Sequence, residues 1–221
     1  MADPTEFYTA AQRELQEKND STALAQAMAT SIVFETLGEK ERAFIGSRDF
    51  FFLSTVNEAG EPTVSYKGGA PGFVQIVDDA TLRFPAYDGN GMFLSLGNAA
   101  ETGKIGMLFI DFEVPHRLRV QGSATLSSDP SDLAGFPGAL AVVEVRIDHV
   151  FVNCARYIHR HTRQQTSRYV PDGDGEQPYP SWKRIDALQP VLPAADQGRA
   201  EREGGTISVD EYQEKLVKGE S

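Results

Sequence analysis

Three stretches of the sequence have residue types and spacings that could bind a ligand. The first is the segment 87–95, Tyr-Asp-Gly-Asn-Gly-Met-Phe-Leu-Ser, which is predicted to join a strand to a helix. Its glycines let backbone N–H groups approach a ligand, and a helix N-terminus offers free N–H groups and a positive dipole end to an anion. Asn90 and Ser95 add neutral donors. The same pattern is equally typical of a turn followed by a helix cap.

The second stretch is the segment 65–73, where Lys67 is followed by two glycines at the end of a predicted strand. This spacing places a mobile positive charge beside bare backbone. Such a cation suits the edge of a flavin ring, because it stabilises the negative charge of the reduced form. The alternative interpretation is a wide hairpin loop in which Lys67 is solvated.

The third stretch is the segment 153–161, which carries a basic cluster in an otherwise acidic chain. The cluster consists of Arg156, His159, Arg160, His161 and, just beyond the segment, Arg163. It could meet a small phosphorylated or anionic ligand. His159 and His161 would share a face of an extended chain, but a metal site built on them lacks a clear third ligand, so no metal is predicted. An exposed basic strand or helix end is the alternative.

Other catalytic patterns are absent from the sequence. Cys154 is the only cysteine, and there is no Gly-x-Ser-x-Gly elbow for a nucleophilic serine. A phosphate-binding loop is excluded because Lys104 is followed by Ile105 instead of Ser or Thr. No Gly-x-Gly-x-x-Gly opens a helix after a strand. The sequence therefore predicts no dedicated catalytic acid, base or nucleophile.

Charge and composition narrow the classes of partner. The 221 residues include 32 acidic and 21 basic side chains, a formal net charge of −11, which argues against a nucleic-acid surface. No apolar run approaches the roughly 18 residues of a membrane span. Residues 1–6 have neither the basic start nor the apolar core of a secretory signal. With a single cysteine, these features predict a cytoplasmic protein.

The elements that must position these stretches form three regions. Residues 1–45 are predicted as a helical N-terminal segment from Glu6 onward, with Ser21 near an N-cap between two helices, and residues 163–221 as a C-terminal loop and helical extension. Residues 46–162 are predicted as strands interrupted by one helix from Gly91 to about Ala100. The predicted strands are Asp49–Val56, Glu61–Tyr66, Gly72–Val77, Thr81–Phe84, Lys104–Asp111, His116–Leu126 and Leu140–Val152. Their number and alternation favour a small closed barrel over a parallel α/β sheet.

The C-terminal region is predicted in four parts. Gln164–Pro180 is a polar loop rich in proline and glycine, and Ser181–Leu188 is a short helix. Leu192–Gly205 is a linker. Ser208–Lys218 is an exposed helix, because Ser208 is followed three residues later by Glu211, the spacing of a capping box.

The run Phe50–Thr125 resembles the FMN-binding split barrel of the pyridoxamine 5'-phosphate oxidase superfamily, in its less-characterised branch. The segments that carry the resemblance are 47–56, 60–63, 65–69, 71–73, 85–98, 106–111, 118–122 and the basic stretch 153–161. The resemblance implies an α+β fold that is mainly β: a split barrel of six to seven mostly antiparallel strands with one inserted helix and a helical N-terminal segment. It also implies a homodimer with two FMN molecules at the subunit interface.

By position, the resemblance assigns the flavin ring to Ser65, Tyr66, Lys67 and Gly68, and the ribityl chain and phosphate to the loop before the inserted helix. The basic stretch would reach the site from the second half of the barrel or from the partner subunit. The residues expected to bind FMN are Ser65, Tyr66, Lys67, Gly68, Asp88, Asn90, Met92, Phe93, Ser95, Asn98, Arg119, Tyr157, His159 and Arg160.

The sequence departs from the authentic oxidase at two places. Where the oxidase offers an Arg-Lys pair to the FMN phosphate, this chain has Met92-Phe93-Leu94-Ser95, so the phosphate would depend on backbone, Asn90, Ser95 and a distant Arg119 or Arg160. The oxidase's Arg-Leu-Ala-Pro-like tail is also missing. The expected function is an FMN-dependent oxidoreductase acting on an unidentified small molecule or electron donor, and not vitamin B6 oxidation. The alternatives are a non-catalytic protein that holds flavin, haem or a deazaflavin, and a dimer that has lost its cofactor.

Overall fold

The structure is a computed structural model that describes residues 7–171 and 173–220. Glu6, where the helical N-terminal segment is predicted to begin, lies outside the described residues, as does the rest of the segment 1–6. Backbone contacts divide the chain into two compact units. The first contains the described residues up to Thr166 together with 170–175, and the second contains 167–169 and the described residues from Glu176 onward.

The first unit begins with helices α1 (Ala10–Lys18) and α2 (Thr22–Ile32), followed after a short strand by α3 (Glu39–Gly46). Thr9 caps α1 through a reciprocal pair of hydrogen bonds with Gln12, which satisfies two otherwise free N–H groups. Ser21 is the N-cap residue of α2, where a cap was expected, but its side chain does not make the capping hydrogen bond. The Ser21 hydroxyl donates to the Gln16 carbonyl of the preceding helix and makes no hydrogen bond to the first turn of α2.

Eight antiparallel strands form one sheet among the described residues of this unit. They are β1 (Val33–Phe34), β2 (Phe50–Val56), β3 (Pro62–Gly68), β4 (Gln75–Ile76), β5 (Thr81–Tyr87), β6 (Lys104–Asp111), β7 (His116–Ser127) and β8 (Ala139–Val152). The order is β3-β2-β6-β7-β8-β5-β4, with β1 paired to β8. Because β3 and β4 end the sheet, it is not closed, and the closed barrel predicted from the strand pattern is wrong. The mainly β, α+β fold is confirmed, and the open sheet is compatible with a split barrel.

Three predicted boundaries change for local reasons. The strand expected at Gly72–Val77 is reduced to β4, because the chain turns at Ala70–Phe73 and Gly72 has φ +86°. The inserted helix is α4 (Leu94–Thr102), three residues later than predicted. Val33–Phe34, inside the predicted helical segment, is extended and pairs with β8. The short strand at Val33–Phe34 also raises the number of strands among the described residues to eight, one above the expected six to seven.

Alternation along the strands gives the sheet two faces. The inner face packs against the core. In the core, the ring of Phe51 lies 5.0 Å from that of Phe84 and 5.2 Å from that of Phe109, measured between centroids. One inner row of register partners consists of Ser65, Leu53, Met107, Val120 and Val150. The next row, on the opposite outer face, consists of Tyr66, Phe52, Leu108, Arg119 and Phe151. Successive residues of a strand therefore face different environments.

A bulge bends the pairing of β7 with β8 between Gln121 and Gly122. A Cβ atom at Gly122 would lie 2.1 Å from the Arg146 carbonyl oxygen. Because this distance is far inside van der Waals contact, the bulge needs glycine for close approach of two backbones.

The first unit also contains a small helix, α5 (Pro130–Leu133). The second unit contains two short 3-10 helices (Ser181–Arg184 and Asp186–Val191), α6 (Arg199–Arg202) and α7 (Val209–Lys218). The capping box of α7 is present, as predicted. Leu192–Gly205 is not simply a linker, because it contains α6 and supplies the carboxylate of a buried ion pair, Lys183 Nζ to Asp196 Oδ2 at 2.7 Å. Within the described ranges, every helix is too short or too polar to cross a lipid bilayer.

Candidate functional site

Two of the predicted ligand-binding stretches meet where α4 begins over β3. The Ser95 hydroxyl donates to the Ser65 hydroxyl at 2.9 Å, and Ser95 is only 8% exposed. Ser65 lies on β3 and Ser95 in the first turn of α4, 30 residues apart in sequence. The contact fixes the helix start against the edge strand and leaves two hydroxyl groups side by side.

A second polar contact lies one turn further along α4. The Asn98 carboxamide donates to the Thr55 hydroxyl at 3.2 Å, and Thr55 is 2% exposed on the inner face of β2. The Thr102 hydroxyl donates to the Val56 carbonyl at 2.9 Å. Thr55 was not predicted as part of the site. Its only signal in the sequence is a polar residue at an inward position of a strand that is otherwise apolar on that face.

The loop before α4 is held by its own local geometry. The Asn90 carboxamide oxygen accepts from the Met92 N–H at 3.1 Å, the arrangement of an Asx turn. Phe93 has φ +49°, a left-handed conformation that is strained for a residue with a side chain, and it delays the helix to Leu94. No side chain caps the first turn of α4. The N–H groups at this helix start are therefore available to an anion. Asp88 is exposed directly after β5.

Lys67 is a partly buried cation on the same inner side of β3 as Ser65. It is the register partner of Phe51, which is fully buried. Among the described residues it makes no ion pair and no hydrogen bond through its ammonium group. Burial lowers the pKa of the Lys67 side chain below its ordinary value. A buried lysine without an anionic partner is the kind of group for which a ligand supplies the missing charge.

The glycines that follow Lys67 are explained by ring packing. A Cβ atom at Gly69 would lie 2.4 Å from Cγ of Phe73, and one at Gly68 would lie 2.8 Å from Cε1 of Tyr66. The two rings occupy the space that side chains would take. Glycine is therefore needed at positions 68 and 69 because aromatic rings pack directly against the backbone there.

Tyr66 lies on the outer face, away from Ser65 and Lys67. Its ring is stacked on Phe50 with centroids 5.3 Å apart, and Phe50 is stacked on Phe112 at 5.9 Å. Within this subunit the structure does not bring Tyr66 together with the Ser65–Ser95 pair. The sequence pattern did not indicate these stacked rings as a feature of the site.

Arg119 also lies on the outer face, in the row that contains Phe52 and Phe151. Its guanidinium donates to the carboxamide oxygen of Asn153. Burial, with a smaller contribution from the charge of Arg117, lowers the pKa of Arg119. Because Arg119 and Ser65 lie on opposite faces of the sheet, Arg119 cannot contact a ligand bound at Ser65 and Ser95 of the same subunit.

The basic stretch runs beside the loop between β6 and β7. Arg160 donates through Nε to the Glu113 carbonyl at 3.1 Å, and the His161 backbone N–H donates to the Phe112 carbonyl at 3.1 Å. Tyr157 is 82% exposed, and His159 is exposed as well. Among the described residues, no hydrogen bond, ion pair or ring contact joins Tyr157, His159 or Arg160 to Lys67, Ser65 or the start of α4.

The comparison with known families gives one match. A profile described as pyridoxamine 5'-phosphate oxidase matches residues 37–154, which is more than half of the chain and contains β2 through β8. This stretch also contains Ser65, Lys67, Ser95 and Asn98. No curated protein sequence matches the chain significantly.

The solved structures that resemble part of this chain are distant from it in sequence. HupZ of Group A Streptococcus is 18% identical over 52% of this chain and 93% of its own, with a TM-score of 0.43. An FMN-binding protein from Syntrophomonas wolfei subsp. wolfei is 15% identical over 63% of this chain and 97% of its own, with a TM-score of 0.41. An F420 reductase is 18% identical over 52% and 98%, with a TM-score of 0.39. Because the profile spans more than half of its residues, the chain belongs to the pyridoxamine 5'-phosphate oxidase family.

Proposed function

We propose that this protein is an FMN-dependent oxidoreductase that holds its cofactor between β3 and the start of α4. The observation that carries the proposal is Lys67, a partly buried ammonium group without an anionic partner among the described residues. It lies on the same strand and the same face as Ser65, whose hydroxyl is paired with that of Ser95. Family membership makes FMN the cofactor to test first.

The residues present fit the chemical groups of FMN. Lys67 offers a positive charge to the ring, and Ser65 and Ser95 offer hydroxyl groups to its polar edge or side chain. The uncapped N–H groups at the start of α4 suit a phosphate, in place of the cations that Met92-Phe93-Leu94-Ser95 lacks. Asn98, anchored on Thr55, holds the helix in position. We assign Gly68, Asp88, Asn90, Met92 and Phe93 to the rim of the same site.

Bound FMN supplies a ring that accepts or donates a hydride at its N5 atom. The protein's part is to bind, orient and tune. Lys67 holds a positive charge, and the paired hydroxyls fix the position of the polar groups. None of these residues has an arrangement that holds a proton for transfer. We therefore assign them to binding, and the substrate is a small molecule or electron donor that meets the ring directly.

We further propose that the protein acts as a homodimer. Five large apolar side chains on β3 and the loop before α4 are between 55% and 65% exposed: Val64, Tyr66, Met92, Phe93 and Leu94. β3 is an edge strand, so an exposed apolar surface there favours association. A second copy would cover it. Tyr66 and Arg119 on the outer face, and Tyr157, His159 and Arg160 in the basic stretch after β8, would then reach the cofactor of the partner subunit. The exposed single Cys154 fits a reducing cytoplasm.

The test is a titration of the full chain with FMN, followed by absorbance. We expect flavin bands, and about tenfold weaker binding in Lys67→Met, since tenfold corresponds to about 1.4 kcal/mol. Lys104→Met removes an exposed lysine and serves as the matched control. Addition of NADH or NADPH in air then tests for reduction and turnover. A protein that ignores FMN, or one that is isolated with haem or deazaflavin bands, would refute the cofactor assignment. Flavin that is bound but never reduced would refute the oxidoreductase.

A further inference from the structure

Three arginines lie near the point where β7 begins and β8 ends, two of them on the outer face of β7 and one in the loop after β8. Arg117 and Arg119 are two residues apart on β7 and therefore share a face. Arg119 is hydrogen bonded to Asn153, the residue after β8. Arg156 follows three residues later, beside Cys154, and both Arg156 and the charge of Arg117 lower the pKa of that thiol. We name Arg117, Arg119 and Arg156 the arginine cluster.

The arginine cluster has no carboxylate of its own. Arg48, Arg83 and Arg163 each form an ion pair with an aspartate. Among the described residues, no member of the cluster does so. Nε of Arg117 is fully buried and has no hydrogen-bond partner in the part of the chain that the structure describes. A buried donor of a charged group that lacks a partner destabilises the folded protein, so its presence calls for an explanation.

The charges of the cluster act on their neighbours. The pKa of Arg119 is lowered by burial and by repulsion from Arg117. The pKa of the Cys154 thiol is lowered by hydrogen bonds from Arg156 and by the charges of Arg156 and Arg117. These shifts indicate a local positive potential in a chain whose formal net charge is −11. The cluster is therefore prepared for an anion that the chain itself does not provide.

We propose that the arginine cluster binds a phosphate group. Guanidinium groups pair with phosphate through two parallel hydrogen bonds, and three of them are more than enough to neutralise the charge of a phosphate monoester. The cluster is on the opposite face of the sheet from Ser65 and Lys67, so it is a second site within one subunit. The phosphate belongs either to a phosphorylated small molecule or to FMN held by a partner subunit. The proposal rests on the cluster alone and does not require that the inner face bind FMN.

The experiment uses the full chain without cofactor and inorganic pyrophosphate as the probe. We expect saturable binding by calorimetry at constant ionic strength, lost at least tenfold in Arg117→Gln/Arg119→Gln. Lys40→Gln/Lys104→Gln removes the same charge from exposed positions and should leave binding unchanged. Should the double variant fail to fold by circular dichroism, Arg156→Gln, at an exposed loop position, replaces it. Absence of saturable binding, or equal binding by the cluster and control variants, would overturn the proposal.

The reactivity of Cys154 reports whether the anion binds at the arginine cluster, because Cys154 is the only cysteine in the sequence. An anion on the cluster raises the pKa of the thiol, so pyrophosphate should slow its alkylation by iodoacetamide about threefold or more at neutral pH. Alkylation that does not respond while pyrophosphate binds would place the ligand elsewhere and refute the assignment. Protection by FMN but not by riboflavin identifies the cofactor's phosphate as the source. Protection by pyrophosphate that persists in FMN-saturated protein identifies a separate phosphorylated ligand.

Discussion

The two faces of the sheet at β2 and β3 are built from alternate residues of the same strands, yet they are completed differently. On the inner face, Phe51 is fully buried and Ser65 finds Ser95 within the chain. On the outer face, Tyr66 and Val64 are mostly exposed. The arginine cluster, further along that face, lacks a carboxylate among the described residues. The difference teaches that folding completes the inner face except at Lys67, which lacks an anionic partner among the described residues. The outer face, in contrast, has both apolar surface and positive charge available to other molecules.

The largest effect should come from exchanging neighbouring phenylalanines of β2. Phe51→Ala removes a fully buried ring that contacts Phe84 and Phe109, and should lower the free energy of unfolding by about 3–5 kcal/mol. Phe52→Ala removes a partly exposed ring from the outer face and should cost about 1–2 kcal/mol. Urea unfolding at low protein concentration measures both. Equal losses would contradict the distinction between the faces.

The next largest effect concerns association through the outer face. Val64→Glu/Tyr66→Glu places two like charges on β3, and should weaken the dimer at least about 100-fold because interfacial charge repulsion costs several kcal/mol. Light scattering over a dilution series measures this change. Val77→Glu/Val217→Glu, at two other exposed apolar positions, is the control and should remain dimeric. A wild-type protein that is monomeric throughout would contradict the proposed dimer.

The inner face should respond to pH through Lys67. Burial lowers the pKa of Lys67 from 10.5, because the charged form is disfavoured in the folded protein. The charge of Lys67 is therefore lost as pH rises through this lowered pKa. FMN affinity should fall by up to about tenfold over the same pH interval, which lies below the pH at which an ordinary lysine loses its proton. In the absence of FMN the sign for stability is opposite. The cost of burying the charge is fully present below the lowered pKa of the folded protein, and it disappears as pH rises from that pKa to the unfolded value. In Lys67→Met this component of the pH profile should vanish.

The smallest effect should come from removing one hydroxyl of the inner face. Ser95→Ala leaves the Ser65 hydroxyl without its partner and should weaken FMN binding about fivefold, the equivalent of about 1 kcal/mol for one hydrogen bond. Ser54→Ala removes an exposed hydroxyl from the outer side of β2 and is the matched control. Fluorescence quenching of FMN measures both affinities. A loss in Ser54→Ala as large as in Ser95→Ala would place the ligand on the wrong face.

Much of the fold could be predicted because strand alternation is local. The pattern of apolar and polar residues in 117–124 identified β7 and its two faces correctly. Local conformation set the limits. The left-handed backbone of Phe93 moved the start of α4, and no residue type at that position indicates it. Ser21 could cap a helix, but its hydroxyl had a nearer acceptor in the preceding turn.

The site was less predictable because it depends on register and on pairs distant in sequence. Ser65 and Ser95 were both expected near a ligand, but their contact follows from the packing of α4 on β3. Thr55 was missed because its partner, Asn98, is 43 residues away. Arg119 was expected near the phosphate, and only the pairing of β6 with β7 shows that it faces away from Ser65.

The position of Ser65 and Lys67 on an edge strand has a consequence for local dynamics. β3 is paired only with β2, so its amides at 62–68 can open without disrupting the rest of the sheet. A ligand that binds Ser65 and Lys67 must hold this strand closed, and its binding free energy opposes each opening event. Hydrogen exchange of the β3 amides therefore reports occupancy directly, while the amides of β7 and β8 should exchange at the same rate with or without the ligand.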